Sequence, residues 1–221
     1  MPAFRALLDG YRRFRVGPYQ QQRLRFDQLA DKGQHPGLMV ISCCDSRVDP
    51  AQIFDVEPGQ IFVLRNVANL VPPFEKGGGL HGVSAAVEFA VTQLDVSHIL
   101  ILGHGGCGGC KAALSGDFDG NPPGEGFFIS EWLSLLTEAR SHVAEAVANG
   151  ADEQLEMEYE AVRTSLHNLE TFPFVAERLS AGRLQLHGGH FAVAHGELHL
   201  MDEEGKFGGA ADAPLLVGTG A

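Results

Sequence analysis

Positive charge is scarce in this sequence. Its 16 Lys and Arg face 28 Asp and Glu, a formal net charge of −12 over 221 residues. No block of basic residues offsets the deficit, so a surface built for nucleic acid or an anionic membrane is excluded. Long apolar runs are missing too, and none has the length of a membrane span. The opening MPAFRALLDGYRRFR has no apolar leader core and no small-residue cleavage site. A cytoplasmic protein is expected, in a compartment where disulfide staples are disfavoured. Internal repeats, low-complexity tracts and the Walker spacing are absent. The glycines of GHGGCGG resemble a dinucleotide turn only superficially, because no acidic residue follows at the required distance.

Apolar residues make up 44% of the chain, enough for a packed core in one domain over residues 1–221. Residues 1–33 are expected to form a helical arm in two pieces. Phe4, Leu7, Leu8, Tyr11, Phe14, Leu24, Phe26 and Leu29 recur at helical spacing, and Gly10, Gly17 and Pro18 interrupt them. HPGLMVISC, GQIFVLRN and SHILILGH are apolar runs that predict buried strands. HGVSAAVEFAVTQLD predicts an amphipathic helix. SEWLSLLTEARSHVAEAVANG and EQLEMEYEAVRTSLHNLETFPFVAERLSAG predict long helices that stop at Gly150 and Gly182. LQLHGGHFAVAHGELHLM predicts two short strands joined near Gly196. The alternation implies an α/β fold with a mostly parallel central sheet, helices on both faces, and an antiparallel C-terminal hairpin or edge strand. Ligands of such sheets sit beyond the carboxyl ends of the strands. Cys43 and His104 both end strands at that rim.

All four cysteines fall in two short stretches, ISCCDSRVDP and GHGGCGGC. Four cysteines in a cytosolic chain point to metal or redox chemistry. His104 and Cys107 stand three apart, a spacing that in the first turn of a helix puts both on one side. Cys43 adds a second sulfur. Zinc favours sulfur and nitrogen in tetrahedral geometry, and three protein ligands leave one position open. Cys44 points to the opposite face from Cys43 on extended backbone, and Cys107-Gly-Gly-Cys110 has the spacing of a thiol–disulfide pair. Burial as small apolar side chains is the plainer expectation for Cys44 and Cys110. Asp45 and Arg47, two apart, share a face, and the arginine fork can hold the carboxylate with two hydrogen bonds.

CCDSRV, RNVANLVPP and GHGGCGG in this order resemble a β-class carbonic anhydrase, from about Gln34 to about Leu200. The resemblance implies reversible hydration of carbon dioxide to bicarbonate and a proton by a zinc-bound hydroxide. It implies one zinc per chain on Cys43, His104 and Cys107, with Asp45 and Arg47 as the dyad beside it. It makes neither Cys44 nor Cys110 a ligand. Some bacterial members carry an inhibitory bicarbonate pocket of tryptophan, arginine and tyrosine. Here Val40 and Phe191 stand at the tryptophan and tyrosine positions, and only Arg65 matches. The similarity is to the plant-like subclass, whose glutamine falls on Gln34. Its carbon dioxide pocket falls on Phe62, Val67, Phe89 and Gly108, with Phe89 replacing a tyrosine. The resemblance also implies a homodimer or a larger even oligomer, with the glutamine reaching in from the partner. The rival expectations are a structural zinc module without catalysis and a same-family hydrolase of carbonyl sulfide or carbon disulfide.

Overall fold

Among the residues described by the computed structural model, 2–77, 79–120 and 123–210, six strands make one sheet. An arm of three helices precedes it: α1 (Pro2–Val16), α2 (Pro18–Gln21) and α3 (Arg23–Lys32). Gly10 does not interrupt α1. The first break comes at Gly17-Pro18, where proline cannot continue the hydrogen-bond ladder. Then follow β1 (Leu38–Cys43), α4 (Pro50–Ile53), β2 (Ile61–Asn66), α5 (Gly82–Thr92), β3 (His98–His104) and α6 (Gly108–Ser115). The chain continues through α7 (Phe128–Leu133), α8 (Ala139–Ala148), α9 (Glu153–Glu170) and α10 (Pro173–Ser180). It closes with β4 (Gln185–Ala192), β5 (Glu197–Met201) and β6 (Phe207–Gly209).

The strand order is β2-β1-β3-β4-β5-β6. β1 pairs parallel with β2 and β3, and β3 with β4, while the β4–β5 and β5–β6 pairs are antiparallel. The expected mostly parallel sheet with an antiparallel C-terminal edge is therefore present. Gly196 makes the β4–β5 turn with φ 70°, and β6 is an addition that the sequence pattern did not announce.

Both long helical patterns are broken. Residues Ser134–Leu136 tighten into a 3₁₀ turn between α7 and α8, and the Ser134 hydroxyl donates to the Glu131 carbonyl at 2.7 Å. A hydroxyl that bonds back to the preceding turn competes with the helix ladder. α9 ends before Pro173, which forces Phe172 to extended backbone and then starts α10 as its first residue.

The larger core joins Met39, Ile41, Ile99 and Ile101 of the sheet to Val87 and Val91 of α5, Val162 and Leu169 of α9, and Val175 of α10. The opposite face carries a smaller core. Val40, Leu100 and Leu102 form a smaller cluster there, with Ile53 and Phe54 from α4 and its cap packed on it. A third cluster gathers Cys43, Cys107 and Cys110 with residues of α6 to α9 beyond the strand ends. That cluster contains the site.

Candidate active site

Cys43 is the last residue of β1 and His104 the last of β3. Parallel pairing of Ser42 with Leu102 brings the two strand ends to the same rim. Cys107 is the N-cap of α6, three residues past the strand, so His104 and Cys107 do not share a helical turn. Gly106 makes the turn between them with φ 68°, a left-handed conformation that favours glycine. The ligand atoms of Cys43, His104 and Cys107 all lie within 4.8 Å of one another, and all three residues are buried. No fourth Cys, His, Asp or Glu joins this group among the described residues.

The chemistry of this set fits zinc. His104 Nδ1 lies 3.1 Å from the Gly105 carbonyl, which fixes Nδ1 as the protonated nitrogen. Nε2 is then a free lone pair, buried without a partner. The neighbouring Cys107 thiol, then burial, push the Cys43 thiol up to about 12. Cys107 is also pushed up to about 12, first by its hydrogen bond with Cys110. A divalent cation reverses this logic and holds both sulfurs as thiolates. Burial opposes a charge on His104, but the neighbouring Cys43 and then Asp45 raise its pKa above the ordinary value.

Asp45 and Arg47 form the expected fork. Arg47 Nε donates to Asp45 Oδ1 at 2.9 Å and Nη2 to Oδ2 at 2.7 Å. The Arg47 backbone N–H adds a third bond, to Oδ1 at 2.9 Å. The side chain of Arg47, then its backbone N–H, hold the Asp45 carboxyl well below the usual carboxylate range. Arg47 Nη2 also donates to the Gly106 carbonyl at 3.0 Å, which ties the dyad to the turn before Cys107. The Asp45 backbone N–H faces the Cys43 sulfur. Behind them Arg65 donates to the carbonyls of Cys43 and Asp45 at 2.9 and 2.7 Å and to Asp49 at 3.0 Å.

The residues of the apolar pocket divide into two groups. Val67 packs in the cluster that holds Cys43 and Cys107. Beside it opens a cavity of about 610 Å³, lined in part by Leu64, Val83, Ile129 and Trp132. A Cβ built on Gly108 would meet nothing within 4 Å, so this backbone borders open space. Phe62 and Phe89 touch each other, with ring centroids 6.0 Å apart; Phe62 packs on the larger core and not on the metal cluster, and Phe89 is exposed. Gln34 is exposed in the link before β1. β1 alone separates it from Cys43 by roughly 17 Å at the usual rise per strand residue. A larger cavity of about 740 Å³, near Phe74 and Phe172, is lined by none of Gln34, Phe62, Val67, Phe89 and Gly108.

The two spare cysteines differ. Cys110 is buried, as expected, and Cys44 is exposed, against expectation. Cys44 follows the last residue of β1 and its N–H is held by the Asn66 carbonyl at 2.8 Å, so its side chain turns outward where the sheet stops. Sequence reasoning missed Glu158, Gln154 and His190, which stand behind Cys107. Glu158 lies on the apolar stripe of α9 with Ala161, Val162, Ser165 and Leu169, and an acid on such a stripe was the available signal.

A family model described as carbonic anhydrase matches residues 38–198. β-carbonic anhydrase 3 of Arabidopsis thaliana is 33% identical over 208 residues, 93% of this chain and 80% of that protein. The solved structure of the β-carbonic anhydrase CcaA has a TM-score of 0.86 at 32% identity, covering 95% of this chain and 92% of its own. One of two tetrameric β-carbonic anhydrases from Sordaria macrospora has a TM-score of 0.77 at 28% identity, covering 90% and 97%. Sequence, fold and metal group agree, and the chain belongs to the β-class carbonic anhydrases, zinc-dependent lyases that hydrate carbon dioxide reversibly to bicarbonate.

Proposed function

We propose that Asp45, held by Arg47, positions the water that attacks carbon dioxide in this single catalytic domain. The fork between the two side chains carries the reading. Zinc on Cys43, His104 and Cys107 would supply a Lewis acid that lets a water ionise near neutral pH. Each carboxylate oxygen has two lone-pair directions. Arg47 takes two on Oδ1 and one on Oδ2, so Oδ2 keeps one. An ionised Asp45 can only accept. It therefore holds a donor hydrogen and leaves the attacking lone pair directed at substrate. Val67 and the open space at Gly108 suit an apolar substrate, and Arg47 is near enough to receive the anionic product.

Gln34, Phe62 and Phe89 are assigned to the site of a second copy. Gln34 stands at the wrong end of β1 for its own metal group, and Phe89 is 47% exposed beside Phe62. A homodimer, alone or within a larger even assembly, accommodates all three. Four free cysteines, two of them needed as thiolates, suit a reducing cytoplasm. No helix of the described residues is long and apolar enough to cross a membrane.

The site is also read as the plant-like, unregulated kind. Val40 and Phe191 meet in one apolar cluster with Leu100 and Leu102, which offers no indole or phenol donor. Each of the three guanidinium nitrogens of Arg65 already donates once, Nε to Cys43, Nη1 to Asp49 and Nη2 to Asp45, which uses three of its five N–H groups. With the guanidinium committed to these partners and no indole or phenol beside it, an inhibitory bicarbonate lacks the donor set it needs, and Asp45 stays with Arg47 near neutral pH. Stopped-flow hydration on zinc-quantified protein, paired with a crystal structure near neutral pH, tests the reading. Activity with Asp45 on Arg47 supports it. Asp45 bound to zinc with bicarbonate beside Arg65 overturns it.

A further inference from the structure

Glu158 is the most deeply buried acid among the described residues, 2% exposed in the middle of α9. Acidic side chains are almost never fully buried unless paired. Its partners all lead to Cys107. Glu158 Oε1 accepts from the Cys107 backbone N–H at 3.0 Å and from Gln154 Nε2 at 2.7 Å. Gln154 Nε2 in turn reaches the Cys107 carbonyl at 3.2 Å. Oε2 is held by His190 Nε2 of β4 at 2.9 Å. His190 is itself 1% exposed and its Nδ1 has no partner, so the bond to Glu158 is what holds this imidazole.

We infer that Gln154, Glu158 and His190 form a clamp that presets Cys107 for zinc. Gln154 and Glu158 are four apart on α9 and therefore share a face. One holds the carbonyl of Cys107 and the other its N–H. The peptide on each side of the ligand is thus fixed from a rigid helix, while His190 fixes the carboxyl from the sheet. The turn before Cys107 contains Gly105 and Gly106, which leave the backbone free unless something outside the turn restrains it. Arg47 restrains that turn at the Gly106 carbonyl. The clamp restrains the next residue. These are positioning residues, because none of their side chains reaches the cluster of ligand atoms.

The inference rests on zinc binding at Cys43, His104 and Cys107, so the test separates the two. Zinc affinity is measured by chelator competition on the full chain, together with the sulfur-to-metal charge-transfer band of the cobalt(II) form. Wild type without that band overturns the metal assignment itself. Given the band, Glu158→Leu is expected to weaken zinc binding by about 10- to 100-fold, the usual effect of removing a group that orients a ligand. Glu158→Gln keeps an oxygen for the Cys107 N–H and is expected to stay within about threefold of wild type. Gln154→Leu, at a half-buried site, supplies an independent arm if Glu158→Leu does not fold, and is expected to weaken zinc more than Glu158→Gln does. Wild-type affinity in folded Glu158→Leu, or equal loss in the Gln and Leu variants, overturns the clamp. So does wild-type affinity in Gln154→Leu when Glu158→Leu is unfolded.

Discussion

Cys43 is buried at the end of β1 and Cys44, one residue on, is exposed. Cys107 and Cys110 are both buried, yet only Cys107 joins Cys43 and His104. Zinc retention is therefore expected to follow position and not residue type. Cys43→Ser and Cys107→Ser should lose the metal, since a neutral hydroxyl replaces a thiolate, while Cys44→Ser and Cys110→Ser keep about one zinc per chain. Metal analysis after dialysis decides it, and loss from Cys44→Ser with retention in Cys43→Ser would reverse the assignment. The dyad carries a second expectation. Asp45→Asn keeps the shape of Asp45 but can turn an NH₂ toward the water where only an acceptor serves. Zinc should stay, and stability should change little because the Arg47 side chain is about half exposed. The hydration rate of the folded, zinc-replete variant is expected to fall at least about tenfold across alkaline pH. A rate within about twofold of wild type throughout would reduce Asp45 to a salt-bridge partner.

Elements were legible where side-chain periodicity and chain punctuation agreed. β1, β2, β3 and α5 coincide with apolar runs, and Gly150 and Gly182 stop helices with φ of 94° and 65°. The misses have local causes. The apolar pattern of α7 and α8 continues across the 3₁₀ turn because Leu133 before it, Leu136 at its end and Ala139 after it enter the same core. β6 is only three residues long, and it is fixed by Phe207 stacking on Tyr159 of α9 at 4.0 Å, a contact with no sequence-local sign. The zinc ligands could be read from motif spacing. The Glu158 clamp could not, since it joins α9, β4 and the α6 cap across the fold. Strands β3 and β4 add a pair of the same hidden kind, His98 and His187, whose ring nitrogens meet at 3.0 Å. Burial, then the charge of His98, lower the pKa of His187 below 6.5. The unfolded chain then takes up the proton first as pH falls. The stability contributed by neutral His187 is complete above about 6.5 and is lost between there and the folded pKa. Urea midpoints at pH about 7.5 and about 5.5 should therefore fall less in His187→Gln than in wild type. An equal fall in both would mean that His187 titrates alike in the folded and unfolded chains.

The protomer on its own leaves too much apolar surface uncovered for α1 to end there. Phe4, Leu7, Tyr11 and Phe14 are 62%, 70%, 56% and 40% exposed on one arm. β2 is an edge strand, and Phe89 and Val63 beside it are exposed as well. A second copy would cover these surfaces and bring Gln34 to a metal group that its own chain holds at the far end of β1. Removing the Gln34 amide should then cost about tenfold or more in hydration rate, as loss of a donor to developing charge does. The decisive measurement uses two defective proteins. Gln34→Ala keeps an intact Asp45, and Asp45→Asn keeps an intact Gln34. After subunit exchange, half of the dimers in an equal mixture are mixed, and one of the two sites in each combines a good Asp45 with a partner's good Gln34. The mixture is expected to recover about a quarter of the wild-type rate, well above either parent. If Gln34 served its own chain, every site would lack one group or the other, and the rate would stay at the parental average. Recovery also requires the copies to associate, so light scattering on the same mixture should give an even multiple of the protomer mass. A monomer that is fully active would end the two-copy account of the site.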